Sequence, residues 1–137
     1  MRYIRDKHEA FVTFAPRGVG MSALSPDKKY RDMVRRRFML LGQTLAGMQA
    51  WDTCRAAEAV RQIAGFARLP LHFHASPSMT EVGAFAALFE PDVASLTLAN
   101  EPRSDKEASD FLNWSRIVTT QQLLALARQR FVVNIRR

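Results

Sequence analysis

Residues 70–98 read PLHFHASPSMTEVGAFAALFEPDVASLTL. Residues 70–75, PLHFHA, predict a strand, and Ser76-Pro77-Ser78 predicts a turn. The run TEVGAFAALF over 80–89 predicts a short, very apolar helix that Pro91 closes, and VASLTL over 93–98 predicts the next strand. A strand, a helix and a second strand in so short a stretch imply parallel pairing through a crossover.

The same alternation extends outward. Residues 10–15, AFVTFA, predict a buried strand running into the glycine loop Pro16-Arg17-Gly18-Val19-Gly20. Ser25-Pro26-Asp27 is a natural helix start, residues 29–41 suit a basic helix, and Gly42 ends it. The longest helix is predicted over 43–64. Its apolar stripe is Leu45, Met48, Ala56, Ala59, Val60 and Ile63, with Arg55, Glu58, Arg61 and Gln62 opposite and Gly65 as the stop. Residues 99–107 predict a polar loop, 108–116 and 119–129 two short helices, and 131–135, FVVNI, a fourth strand. The expected fold is α/β: a three-layer sandwich around a small, mainly parallel sheet of about four strands, near-continuously apolar as in sheets covered on both faces.

Composition bounds what this fold can serve. The 137 residues suit a single domain over 1–137, and 47% hydrophobic with 24% charged residues excludes a disordered class. The 20 Lys+Arg against 13 Asp+Glu leave +7, concentrated in Arg35-Arg36-Arg37 and Arg136-Arg137. No RNP, KH, zinc-finger or helix-turn-helix signature accompanies that charge, so no specific nucleic-acid partner is expected. The single Cys54 allows no internal disulfide. No run is apolar enough for a membrane span, and MRYIRDKHEA has no signal-peptide core, so a cytoplasmic location and no membrane partner are expected.

Four stretches carry a family resemblance: APRGVG after the first strand, RRRFMLLGQTLAGMQAWDTCRAAEAV as a helix pair, HASPSMTEVGAFAALFEPDVASLTLANEPRS, and FLNWSRIVTTQQLLALA. In this order they resemble the C-terminal part of acetylxylan-esterase-like α/β-hydrolases, over roughly residues 10 to 135. The resemblance implies an incomplete α/β-hydrolase domain and an activity on small esters or lactones. It places Ser78 at the nucleophile position of the strand-to-helix turn. Both flanking glycines of that turn are replaced, by Ser76 and Thr80. It implies oxyanion donors at the Met79 N–H and in the loop near Arg17-Gly18, and it makes Glu101 the candidate acid. No histidine follows Ser78: the three are His8, His72 and His74. Ser78 would otherwise serve as a helix cap, accepting a first-turn N–H.

Two rival readings stand beside the hydrolase. In one the chain is a catalytically inactive module that acts by self-association or partner binding; a homodimer is expected, through an edge strand or the 29–64 helices. In the other, His72 and His74, on one face of a strand, belong to a metal-dependent hydrolase. The further ligands such a site needs are scarce, so no metal and no cofactor are expected. Asp52 reads as structural, with the Arg35–Arg37 cluster as its partner, Cys54 as a buried hydrophobe, and Trp51 and Phe85 as core or interface aromatics.

Overall fold

The computed structural model describes residues 2–5, 9–100 and 109–136. The chain runs β1 (Arg2–Arg5), β2 (Ala10–Thr13), α1 (Lys28–Leu40), α2 (Leu45–Arg61), β3 (Leu71–Ala75), α3 (Thr80–Phe89), β4 (Val93–Leu98), α4 (Trp114–Ile117), α5 (Thr120–Arg130) and β5 (Val132–Ile135). The protein is mixed α/β with a parallel sheet. That sheet has three described strands in the order β3-β4-β5, with Leu96 beside Phe73 and Val133.

The strand expected at 10–15 does not join it. Residues 10–13 pair antiparallel with β1, Val12 opposite Tyr3, in a separate two-stranded sheet. Pairing partners are chosen by long-range geometry, and a short strand reads alike in either sheet.

The layers also differ from the expected sandwich. One side chain in two on each strand enters a single core: Phe73 and Ala75, Leu96 and Leu98, Val133 and Ile135, packed against Ala84 and Ala87 of α3 and Leu123, Leu124 and Ala127 of α5. Both crossover helices therefore cover the same face. Strands that advance in chain order through connections of one hand must carry their helices on one side; covering both sides requires a reversal of strand order, and none occurs among the described strands. The opposite face carries His72, His74, Ser95, Thr97 and Asn134, so the strands alternate rather than run apolar throughout.

Helix α3 is buried on nearly all sides, seven of its ten residues being inaccessible. Its glycine explains how closely it lies on the sheet. A Cβ at Gly83 would sit 2.7 Å from the Cβ of Ala75. On its outer side α3 meets α2 through Val82 and Ala86 against Ala46, Ala50 and Cys54. The apolar stripe expected on α2 is thus displaced. The buried positions are Ala46, Gln49, Ala50, Cys54 and Ala57, small residues that let two helices approach, while Met48 turns to a surface groove. Burial pushes the Cys54 thiol up to about 11, with Glu90 reinforcing the shift, so it is an inert hydrophobe in the resting fold. Residues 109–113 are not helical; α4 starts at Trp114, after Asn113 in the left-handed region.

Candidate functional site

Ser78 lies where the strand-to-helix turn was expected, in a single turn of 3₁₀ helix, Pro77–Met79, between β3 and α3. It is exposed, and among the described residues its hydroxyl has no hydrogen-bond partner. It does not cap: α3 has no side-chain cap. The backbone strain of a nucleophile turn is also absent, since the non-glycine residues with positive φ among those described are Asp92 and Asn113. Thr80, which would crowd such a turn, is accommodated as the first residue of α3, and its Oγ1 donates back to the carbonyls of Ser76 (3.4 Å) and Pro77 (3.3 Å).

Both N–H groups named as oxyanion donors are engaged. The Met79 N–H closes the turn on the Ser76 carbonyl at 2.9 Å. The Gly18 N–H donates to Ser22 Oγ at 3.1 Å. Gly18 has φ +76° and packs against Leu45, which fixes its loop on α2. The same loop supplies the partner of Asp52, which is Arg17 and not the Arg35–Arg37 cluster. The Arg17 N–H and Nε donate to Asp52 Oδ2 at 3.0 and 2.8 Å. The Arg17 hydrogen bonds hold the Asp52 carboxyl below the usual carboxylate range, against the opposing effect of burial. Arg35 pairs instead with Asp110. Glu101 and His8 lie outside the described residues.

The two strand histidines share the open face of the sheet. His72 Nδ1 is 2.7 Å from Ser95 Oγ. Neither histidine hydrogen-bonds Ser78. Among the described residues no group of three or more His, Cys, Asp or Glu could hold a metal ion, and no helix is long and apolar enough to cross a membrane.

One concave feature is not indicated by the sequence. A groove of about 820 Å³ runs between α2, α3 and the α4–α5 segment, lined by Trp51, Phe85, Phe89, Phe111, Trp114 and Leu126, with Arg17, Gln43 and Thr44 among its polar residues. Its floor is an aromatic cluster. Phe85 lies 4.5 Å from Phe111 and 5.1 Å, edge-on, from Trp114. Trp51, 58% exposed, carries the Arg55 guanidinium 4.4 Å above its ring. The signal available in the sequence was the aromatic density of 85–89 and 111–114, which reads equally well as core. Compared with known protein families, curated proteins and solved structures, the chain matches none of them.

Proposed function

We propose that this chain is an α/β-hydrolase-like module that acts by association rather than by turnover, and that its groove receives a second copy of itself. The observation that carries the reading is the pairing of a cleft with an adjacent knob. Leu40 and Leu41 stand 86% and 72% exposed at the end of α1, immediately before Gly42, Gln43 and Thr44, which line the groove. The Arg35–Asp110 ion pair ties α1 to the segment that carries Phe111 and Leu112 on the groove wall. Knob and cleft on one surface are what a two-fold interface requires, each copy inserting its leucines into the other. The finer fold reading belongs to the same proposal: a partial hydrolase sheet, with β3 and β5 as the edges where a further strand would add.

Sedimentation velocity from low to high micromolar concentration tests it. A dimer is expected, tighter at higher salt because each copy carries +7. Leu40→Glu/Leu41→Glu should be monomeric with an unchanged circular-dichroism spectrum. A monomer at every concentration, or a dimer that survives the double substitution, overturns the reading.

A second reading, hydrolysis of small esters or lactones at Ser78, is favoured by the exposed, unpartnered hydroxyl of that residue at the end of a parallel strand. With no base in contact with it among the described residues, the expected activity is slow turnover of nitrophenyl acetate at most. Fluorophosphonate labelling located on Ser78 by mass spectrometry, and lost with turnover in Ser78→Ala, would support it. An unlabelled Ser78 would remove it.

A further inference from the structure

The carboxyl ends of the parallel strands hold a second concavity, of about 230 Å³, lined by His74, Ala75 and Ser76 after β3, Thr97 and Ala99 of the β4 end, and Arg136 after β5. It shares no residue with the apolar groove. Register explains the convergence. His74 lies opposite Thr97, and Thr97 opposite Asn134, so alternation along β5 brings Arg136 to the same side of the sheet.

The backbone at this edge is satisfied. The Ala99 N–H donates to the Ala75 carbonyl at 3.1 Å and the Arg136 N–H to the Leu98 carbonyl at 2.8 Å. The side chains are not. Thr97 is only 9% exposed, and among the described residues its hydroxyl has no hydrogen-bond partner. That oxygen is not among the fully enclosed unsatisfied atoms, so it opens into the cavity it lines. A hydroxyl that reaches the cavity is a donor available to a group held there. The hydroxyl of Ser76, the imidazole of His74 and the guanidinium of Arg136 line the same space and likewise have no side-chain partner among the described residues. Among the described residues no acidic side chain lines it.

We propose that this edge of the sheet binds a small oxyanion: a phosphate or carboxylate group, free or at the end of a small molecule. Arg136 supplies a fixed positive charge and a planar pair of donors suited to two oxygens. Thr97 and Ser76 supply neutral donors, and His74 closes the side opposite Arg136. A volume of about 230 Å³ is room enough for such a group.

Isothermal titration of the full chain with inorganic phosphate, and separately with acetate, at constant ionic strength set by chloride, tests the proposal. One of the two should bind saturably, one per chain, and so identify which oxyanion fits. Arg136→Gln should weaken that binding by at least about tenfold, the scale of one charge-assisted hydrogen bond. Thr97→Val, which keeps the shape and removes the hydroxyl, should weaken it several-fold. Arg31→Ala, a charge removed on α1, should leave it unchanged. Absence of saturable binding by either anion overturns the site, as does equal weakening by Arg31→Ala and Arg136→Gln. Should Thr97→Val fail to fold, the exposed Arg136→Gln against Arg31→Ala decides the question.

Discussion

Helices α1 and α3 are both short, and they are held by opposite means. Helix α1 has thirteen residues and buries none of them; α3 has ten and buries seven. Helix α1 carries the local signals: Asp27 caps it, accepting the Lys29 N–H at 3.0 Å, Lys28 and Asp32 pair at 2.7 Å one turn apart, and Arg37 sits in the last turn. Helix α3 has no side-chain cap, and a glycine stands in its middle. The difference teaches where stability resides here. Local signals make a helix of this length only marginal in water, whereas packing fixes one whose own propensity is poor. The consequence reaches function. The element without internal burial is the one that ends on the exposed Leu40 and Leu41, beside the groove.

The largest effect is expected in the core under α3. Leu96 is fully buried between α3 and α5. Leu96→Ala should cost about 2–5 kcal/mol, from lost transfer and the cavity left behind, a large part of the stability of a domain this size. Urea unfolding followed by circular dichroism measures it. A loss below about 1 kcal/mol would mean the sheet core is loosely packed and the contrast with α1 is false.

A smaller effect is expected where the glycine loop joins α2. Asp52→Ala removes the partner of Arg17, and because the arginine is about half exposed the cost should be about 1 kcal/mol at neutral pH. The pH dependence has a definite sign. The folded-state pKa of Asp52 is depressed, so its contribution is complete above the ordinary carboxylate range and disappears as pH falls through the lower folded-state value. Wild type and Asp52→Ala should therefore converge in stability as pH drops below about 4. A difference that stays constant down to strongly acidic pH would show that lost packing, and not the ion pair, is what the substitution removes.

What the sequence revealed follows the same divide. The span 70–98 was legible because its punctuation is local: Ser76-Pro77-Ser78 ends a strand, Pro91 ends a helix, and α3 and β4 occupy the expected 80–89 and 93–98. What depends on distant partners was not legible. The AFVT strand reads alike whether it joins the parallel sheet or pairs with β1. The sequence offers Asp52 a run of three arginines, yet its partner is a lone arginine 35 residues away in a loop. The contact face of α2 proved to be its small residues, because the spacing of two helices is set by the partner, and α3 is itself rich in alanine and glycine. For the site, the position of Ser78 was legible from its turn, whereas the engagement of the Met79 and Gly18 N–H groups depends on backbone geometry that no residue type encodes.

The smallest effect is expected on α1. Met33 lies on α1, 38% exposed, in a helix with no buried residue. Met33→Ala exchanges it for the best helix former, so the loss of partial packing and the gain in propensity oppose each other. The net change in stability should lie within about 0.5 kcal/mol, measured at low micromolar concentration where association does not contribute. Cys54 provides an independent readout. It is buried under α3 with its thiol pushed up to about 11, so alkylation at pH 8 requires the α2–α3 contact to open. Leu96→Ala should accelerate that alkylation strongly, while Met33→Ala should leave its rate as in wild type. If Met33→Ala also exposes Cys54, α1 is coupled to the core despite burying nothing. Its leucine knob would then be positioned by the whole fold and not by the Arg35–Asp110 pair alone.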